Sequence, residues 1–348
     1  MIGDTITWER LDWGALDRLR DRFLAPNTPE HISNYWTTTS DLANYDFTFA
    51  QRIGWKWDSV LAGLRQRGWR PPPGPVLDWG CGSGIAGRRV LGFMGPKRAT
   101  ALRLFDQSHL AMQFAAAAAR KQFPEIPIET RGRADLEGLE TCSTLVISHV
   151  LNELDEAAGR LLRQTIDRAE AVLWVEPGTF ADSRALIAVR ESLQDFAMIA
   201  PCPHQGRCGL LAAGNERHWC HHFAPAPAGI MADSNWVRFA QRAGIDLRSL
   251  PYSYLILEKK KGMPRPLESS QTTKDKPWTT TQVLGRPRVY KGFAKLLCCQ
   301  ETGVRELELQ KRVNPAVFKE FKEGQGRSLW QVKLDEARIV ELETPATG

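Results

Sequence analysis

The sequence predicts an α/β fold, a parallel sheet with helices between its strands that holds a ligand at the strands' carboxyl ends. Three observations lead there. Val76 to Gly84 reads VLDWGCGSG, an apolar run ending in an acid and then alternating glycines with small residues. Leu102 to Phe105 is a second apolar run, closed by Asp106. Leu145 to His149 and Val172 to Val175 repeat the pattern, with stretches of helical length between them. Apolar strands alternating with helices are the signature of βαβ units, and such sheets bind ligands outside the carboxyl ends of their strands.

Each element has its reason. Val76 to Trp79 is a buried strand, and the glycines after it let the backbone turn sharply and approach a ligand. The amides opening the next helix then face that ligand. Gly82 to Gly87 spells G-x-G-x-x-G, so a dinucleotide site is formally possible. An acid directly before G-x-G-x-G, however, resembles motif I of class I S-adenosylmethionine-dependent methyltransferases, whose strand acid lies near the methionine amino group. Asp78, Gly80, Gly82 and Gly84 are therefore cofactor candidates. Asp106, about 20 residues on, stands where an acid would bind ribose hydroxyls, and it would equally serve as a helix cap for Gln107 to Gln122. His149, Asn152 and Glu176 follow the next two strands and complete the candidate set. Asp135 is either an adenine neighbour or a loop acid. Ala111 to Ala119 is alanine-rich, suited to a helix packed closely on the sheet.

The flanks divide as follows. Residues 1–70 are a helical N-terminal region, with apolar positions near helical spacing (Trp8, Leu11, Leu16, Leu19, Phe23, then Leu42 to Leu64) broken at Pro26 and Pro29. Pro71 to Pro75 is a stiff connector. Residues 71–200 form the Rossmann-like core, with Ser183 to Ala200 read as helix. Residues 201–312 form a Cys-rich segment with the last core strands: a helix over Asn235 to Ala243, a strand over Tyr252 to Leu257, a polar loop from Lys259 to Thr281, one strand over Val289 to Cys298, and another over Val304 to Arg312. Residues 313–348 are a C-terminal extension in which Asn314-Pro315 opens a helix through Phe321.

The 348 residues hold one large domain with appendages or two domains, and 43% hydrophobic content supports a substantial core. No apolar run approaches about 18 residues, so no membrane helix is expected. The N-terminus matches neither a secretory signal nor a transit peptide. The expected place is a bacterial cytoplasm, or the mitochondrial matrix of a eukaryote, and the expected state is a monomer. Net charge is +6. From Lys259 onward there are 18 Lys+Arg against 11 Asp+Glu, so the last quarter carries the whole excess. That is compatible with RNA and equally with a solvated surface.

Pro201 to Phe223 holds Cys202, Cys208 and Cys220 with four of the chain's seven histidines. Such a cluster in a reducing compartment reads as a metal site rather than a disulfide framework. Thiolates bind zinc or iron–sulfur centres, and both need four good donors. The C-x5-C-x11-C spacing leaves the fourth ligand open. Cys298 and Cys299 are the candidates, Cys81 and Cys142 reading as core thiols. Strand alternation allows only one of the pair to face the centre.

Together these features resemble one family, the mitochondrial small-ribosomal-subunit methyltransferase-like group (Rsm twenty-two, or methyltransferase-like seventeen) with its bacterial relatives. The matching stretches are VLDWGCGSG, SHVLNEL at 148–154, WVEPGT at 174–179, CPHQGRC…WCHHF at 202–223, RPRVYKGFAKLLCC at 286–299 and LQKR at 309–312. The match spans roughly residues 40 to 322 and fades after Phe321. The resemblance implies S-adenosylmethionine at the sheet edge, and a 4Fe-4S cluster on Cys202, Cys208, Cys220 and Cys298, with zinc as the alternative. It also implies the small ribosomal subunit and its rRNA as partners, in assembly, translation or rRNA methylation. The Asp/Asn-Pro-Pro-aromatic motif of base N-methylases is absent after the LVISH strand, and no general base stands out. The alternatives are a non-catalytic iron–sulfur assembly factor that binds rRNA, and an NAD-binding oxidoreductase with zinc.

Overall fold

The computed structural model describes residues 6–24, 36–138, 141–260, 277–324 and 327–345. The chain divides into two compact units: residues 1–63, 70–176 and 226–250 form the first, and residues 64–69, 177–225 and 251–348 form the second. The expected break at Pro26 and Pro29, and positions 261–276 of the polar loop, lie outside the described residues.

The first unit holds β1 (Gly74–Trp79), β2 (Ala99–Phe105), β3 (Ile128–Thr130), β4 (Cys142–Ser148) and β5 (Ala169–Pro177). They pair in the order β3-β2-β1-β4-β5, every pair parallel. The crossovers run through α4 (Ile85–Met94), α5 (His109–Gln122), α6 (Arg133–Glu137) and α7 (Glu156–Asp167). Strands covered on both faces must be apolar throughout, and Val76, Leu77, Leu102, Leu104, Leu145 to Ile147 and Val172 to Val175 are all buried. The sheet is therefore the Rossmann-like one expected. Its strand order reverses between β1 and β4, and that switch point opens a crevice at their carboxyl ends. The alanines of α5 have a use: a Cβ on Gly84 would stand 2.8 Å from the Ala115 methyl, so helix and glycine turn meet as closely as small residues allow.

Helices α1 (Trp13–Leu24), α2 (Thr39–Phe47) and α3 (Phe49–Gln66) precede the sheet, and α9 (Ser234–Ala243) belongs with them. Leu11 and Leu16 share an apolar cluster with Phe239 and Ala243. Arg20 Nε donates to the Ala243 carbonyl at 2.7 Å, which caps the end of α9. Thr38 and Asp41 form a capping box at the start of α2.

In the second unit, α8 (Phe180–Ser192) is followed by β6 (Phe196–Ala200), antiparallel to β8 (Leu250–Lys259), and β7 (His222–Ala224) also pairs with β8. Ser183 to Ala200 is thus a helix and a strand, not one helix. Ser192-Leu193-Gln194-Asp195 contains no Gly or Pro to mark the break. The five remaining strands are β9 (Thr279–Val289), β10 (Phe293–Gln300), β11 (Gly303–Gln310), β12 (Leu329–Asp335) and β13 (Arg338–Glu343). They close into a barrel in the order β10-β11-β13-β12-β9, with β11 parallel to β13 and α10 (Pro315–Glu323) between β11 and β12. That order, with a helix between the third and fourth strands, is the OB-fold arrangement. The run Val289 to Cys298 is therefore a hairpin, turned at Tyr290 to Gly292, where Tyr290 N–H donates to the Phe293 carbonyl at 2.8 Å. The barrel spans positions 312 and 313, so the C-terminal segment is part of it rather than an appendage. Val283, Leu296, Cys298, Leu307, Trp330 and Ile339 fill its interior, and Phe318 and Phe321 of α10 plug one end. Among the described residues no helix is long and apolar enough to cross a membrane.

Candidate functional site

The crevice of the first unit is built from three strand ends. Asp78, last but one in β1, is buried. Its Oδ2 accepts from Gly87 N–H at 3.0 Å, and its Oδ1 is buried with no hydrogen-bond partner among the described residues. Gly87 is glycine for this contact, because a Cβ there would lie 2.6 Å from Asp78 Oδ2. The third glycine of the apparent G-x-G-x-x-G therefore serves the acid. Gly80, Gly82 and Gly84 all have positive φ, at 70°, 50° and 80°, which a side chain would strain. Asp106, at the end of β2, accepts from Gly82 N–H at 2.9 Å through Oδ2 and from Ser108 N–H at 2.8 Å through Oδ1. It pins the glycine turn. The cap of α5 is Ser108, whose hydroxyl accepts from Ala111 N–H at 3.2 Å.

Burial disfavours charge on both acids. It pushes the Asp78 carboxyl up to about 7, against the Gly87 hydrogen bond that favours the anion, and the neighbouring Asp106 charge adds to the rise. Asp106 is raised too, chiefly by burial, while its two amide partners oppose the shift. The crevice thus holds two adjacent carboxyl groups whose charged forms burial disfavours.

Glu176 ends β5. Its Oε1 accepts from the amides of Val150 (3.1 Å) and Leu151 (3.2 Å) and from Trp174 Nε1 (2.6 Å). It fixes the loop after β4, and Val150 in that loop touches the turn, since a Cβ on Gly80 would meet Val150 Cγ1 at 2.7 Å. Asn152 follows, exposed, in the turn Leu151–Glu153. Asp135 is exposed and caps the short α6, accepting from Gly132 N–H at 2.7 Å.

His149 adopts φ 57°, rare outside glycine. Burial and the nearby Lys56 ammonium hold its pKa well below the usual histidine value, so the ring is neutral. Lys56 Nζ lies 3.2 Å from Nε2, and Ser148 Oγ lies 3.2 Å from Nδ1. An ammonium can only donate, so Nε2 accepts and Nδ1 carries the proton. Trp57 Nε1 also donates to Ser148 Oγ, at 3.0 Å. With both ring nitrogens engaged, His149 orients the loop and has no lone pair to offer a substrate. Lys56 and Trp57 on α3 are site residues that the sequence reading missed, since neither falls in a motif.

The Cys-rich stretch Pro201 to Phe223 lies in the second unit, as does Cys299, whereas residues 226–250 of the expected 201–312 segment belong to the first. Arg184 ties its loop to α8 by donating to the carbonyls of Leu210, Asn215, Glu216 and His218 at 2.6–3.1 Å. Ser183 and Ser253 hydroxyls both donate to the Cys220 carbonyl, at 2.8 and 2.7 Å. Arg190 Nε donates to Cys202 Sγ at 3.3 Å, and Arg190 also pairs with Glu191, whose carboxylate accepts from Cys208 N–H. Cys208, Cys220 and Cys299 share one cluster with Ile187, Leu210 and Leu284. Cys298 does not join it: its side chain packs inside the barrel with Leu296 and Leu307. Alternation along β10 does send the two thiols to opposite faces, and the structure brings Cys299, not Cys298, to the other three.

Burial raises the proton affinity of Cys220 and Cys299 first, and the neighbouring thiols raise it further: Cys202, Cys208 and Cys299 act on Cys220, and Cys202 and Cys208 act on Cys299, pushed up to about 12. His204 Nε2 lies 3.5 Å from Cys299 Sγ, and His222 Nε2 lies 3.8 Å from Cys220 Sγ. All seven cysteines are free thiols. Among the described residues, no group of three or more His, Cys, Asp or Glu is arranged to hold a metal ion. A tetrahedral zinc would require sulfurs roughly 4 Å apart.

With the geometry in hand, one comparison decides the family. The family described as mitochondrial small ribosomal subunit Rsm22 matches residues 58–330. The chain belongs to the Rsm22 family. No curated protein matches this Rsm22-family chain in sequence. Solved structures resemble it distantly. A putative RNA methyltransferase from Pyrococcus horikoshii is 9% identical with a TM-score of 0.38, over 70% of this chain and 98% of that one. Magnesium protoporphyrin IX methyltransferase from Synechocystis, with bound SAH, is 13% identical with a TM-score of 0.34, over 71% and 95%. An rRNA methylase from Streptococcus thermophilus is 11% identical with a TM-score of 0.33, over 60% and 95%. Family membership rests on the family match, not on these.

Proposed function

We propose that this Rsm22-family chain binds S-adenosylmethionine in the crevice of its first unit and works at the small ribosomal subunit, on the subunit's rRNA, as a monomer. The observation that carries the cofactor reading is the buried Asp78, with one carboxylate oxygen unpartnered among the described residues and Asp106 beside it. S-adenosylmethionine brings an ammonium and a sulfonium, both cations, and two ribose hydroxyls. Asp78 suits the ammonium, and Asp106 has lone pairs left for the hydroxyls beyond its two amide contacts. A dinucleotide instead brings a pyrophosphate to the glycine turn, an anion that offers the buried Asp78 no charge partner. This disfavours the NAD reading. The ribosomal partner is taken from the family's description.

Bound there, S-adenosylmethionine supplies an electrophilic methyl group. The chain's own contribution is positional: Glu176 and His149 hold the loop over the crevice, and Asp106 holds the turn. The engaged nitrogens of His149 favour a second reading in which the chain binds the cofactor but serves as a non-catalytic assembly factor. Sedimentation of tagged protein with small subunits tests the partner, and methyl incorporation from labelled S-adenosylmethionine into small-subunit rRNA separates the two readings. Incorporation that vanishes with Asp78→Ala supports the methyltransferase. Co-sedimentation without incorporation supports the assembly factor, and failure to sediment with small subunits contradicts both.

We propose also that Cys202, Cys208, Cys220 and Cys299 hold a 4Fe-4S cluster. Four thiols from three separate stretches, Cys208, Cys220 and Cys299 in one cluster and Cys202 on the cationic Arg190, are the donor type such a cluster takes. Four thiolates, two of them buried and two half-buried, need compensating positive charge, and the cluster would supply it while cross-linking the loop to the barrel wall. Zinc is the alternative that iron and sulfide analysis excludes or confirms.

A further inference from the structure

The barrel of the second unit carries a feature that neither the crevice nor the thiols use. In OB-folds the face of the second and third strands and the loop after the first strand bind oligonucleotides. Here these are β10, β11 and the turn Tyr290 to Gly292. Tyr290 is 46% exposed and stacks on Phe293, with centroids 4.7 Å apart and planes at 15°. One face of the tyrosine is thereby held rigid against a partner. Phe293 pairs in register with Gln310, and Gln310 lines a cleft of about 550 Å³ together with Gly292, Lys311, Arg312 and Pro315. A Cβ on Gly292 would meet nothing within 4 Å, so the cleft is open at the turn. The Lys311 amide donates to the Gly292 carbonyl at 2.9 Å, which ties the end of β11 to the turn.

The charges are arranged unevenly. Arg288 and Lys295 are both spent on Glu306. Lys291, Lys311 and Arg312, at the turn and the cleft, make no ion pair among the described residues. The nearest acid on the strand, Glu308, accepts from Gln310.

We infer that the Tyr290 turn and the adjoining cleft bind a single-stranded nucleic acid, with one unpaired base stacked on Tyr290 and its phosphates against Lys291, Lys311 and Arg312. Only an unpaired base offers a face for stacking, and a phosphate chain is the ligand that unpaired cations along a groove suit. The inference stands on the barrel rather than on the cofactor reading. It deepens the rRNA reading by assigning residues to it, and its failure would leave subunit sedimentation untouched.

The test is fluorescence anisotropy of the full chain with a labelled oligouridylate of about 12 nucleotides, within the site sizes of OB-folds, across a salt series. The same-length thymidylate, an RNA duplex and polyglutamate serve as competitors. Tyr290→Ala should weaken binding roughly tenfold, while Tyr290→Phe retains it. Lys311→Ala and Arg312→Ala should each lower the slope of log affinity against log salt by about 0.7. Lys319→Ala, exposed on α10, should change neither. Equal affinity for RNA and DNA single strands, or a preference for RNA, both support the site. Retention of near-wild-type affinity in Tyr290→Ala together with an unchanged salt slope in the two cation variants would overturn it. So would a duplex or polyglutamate that competes as well as the single strand. Circular dichroism melts of each variant confirm that these surface changes leave the fold intact.

Discussion

Replacing Asp78 with asparagine should stabilise the empty protein while crippling its cofactor binding. The Asp78 carboxyl titrates at about 7 because it is buried, whereas in the unfolded chain it titrates near the ordinary value of about 3.9. Between those two values the folded state holds a proton that the unfolded state has lost. Stability therefore falls as pH rises from about 4 through about 7, and above 7 the cost is full. Three pH units correspond to roughly 4 kcal/mol. The asparagine amide cannot ionise, and its oxygen can still accept from Gly87, so at pH 8 the empty variant should gain up to about 4 kcal/mol and melt several degrees higher. At pH 5 the gain should shrink by more than half. S-adenosylmethionine affinity should move the other way. Losing a charged hydrogen-bond partner costs about 1.5–3 kcal/mol, a weakening of roughly 10- to 150-fold. Wild-type affinity should itself rise between pH 5 and 7 and then level off, with proton release on binding in that window. Melts and calorimetric titrations at pH 5 and pH 8 read all of this. A lower melting temperature for the empty variant at pH 8, or wild-type affinity that is flat across the range, would refute the reasoning.

Other outcomes follow from the same geometry. Cys299→Ser should lose bound iron on anaerobic purification, whereas Cys298→Ser should keep it and instead lose about 1–3 kcal/mol by placing a hydroxyl in the barrel core; iron and sulfide analysis beside melts distinguishes the two. Gly178→Ala should destabilise the second unit by about 1–3 kcal/mol, because its Cβ would fall 2.6 Å from Tyr252 N and 2.7 Å from Pro251 C, backbone atoms that cannot swing aside. A thermal melt indistinguishable from wild type would contradict that packing. Gly87→Ala, whose Cβ would stand 2.6 Å from Asp78 Oδ2, should weaken S-adenosylmethionine binding in a titration; unchanged affinity would mean that the acid has room to move.

The parallel sheet was legible because its strands are apolar on both faces and each ends in a polar residue, so Asp78, Asp106 and Glu176 could be placed from sequence alone. Their partners could not. That Gly87 serves Asp78, or that Glu176 holds two amides of the loop after β4, depends on backbone paths that no spacing encodes. Lys56 escaped notice because it is one polar position on an amphipathic helix, and only the fold brings it to His149. The barrel was hidden because each of its strands alternates like any half-buried strand, while closure and the β11–β13 pairing are long-range facts. Tyr290-Lys291-Gly292 continues that alternation, so two strands read as one. Alternation separated Cys298 from Cys299 but could not say which faced the loop, since that depends on which side of β10 the barrel closes.

The most direct test of the cofactor crevice is a calorimetric titration of the purified chain with S-adenosylmethionine and, separately, with NAD. The account predicts saturable one-to-one binding of S-adenosylmethionine that disappears in Asp78→Ala, and no heat with NAD. Binding of NAD in place of S-adenosylmethionine, or S-adenosylmethionine binding that survives the loss of Asp78, would contradict it.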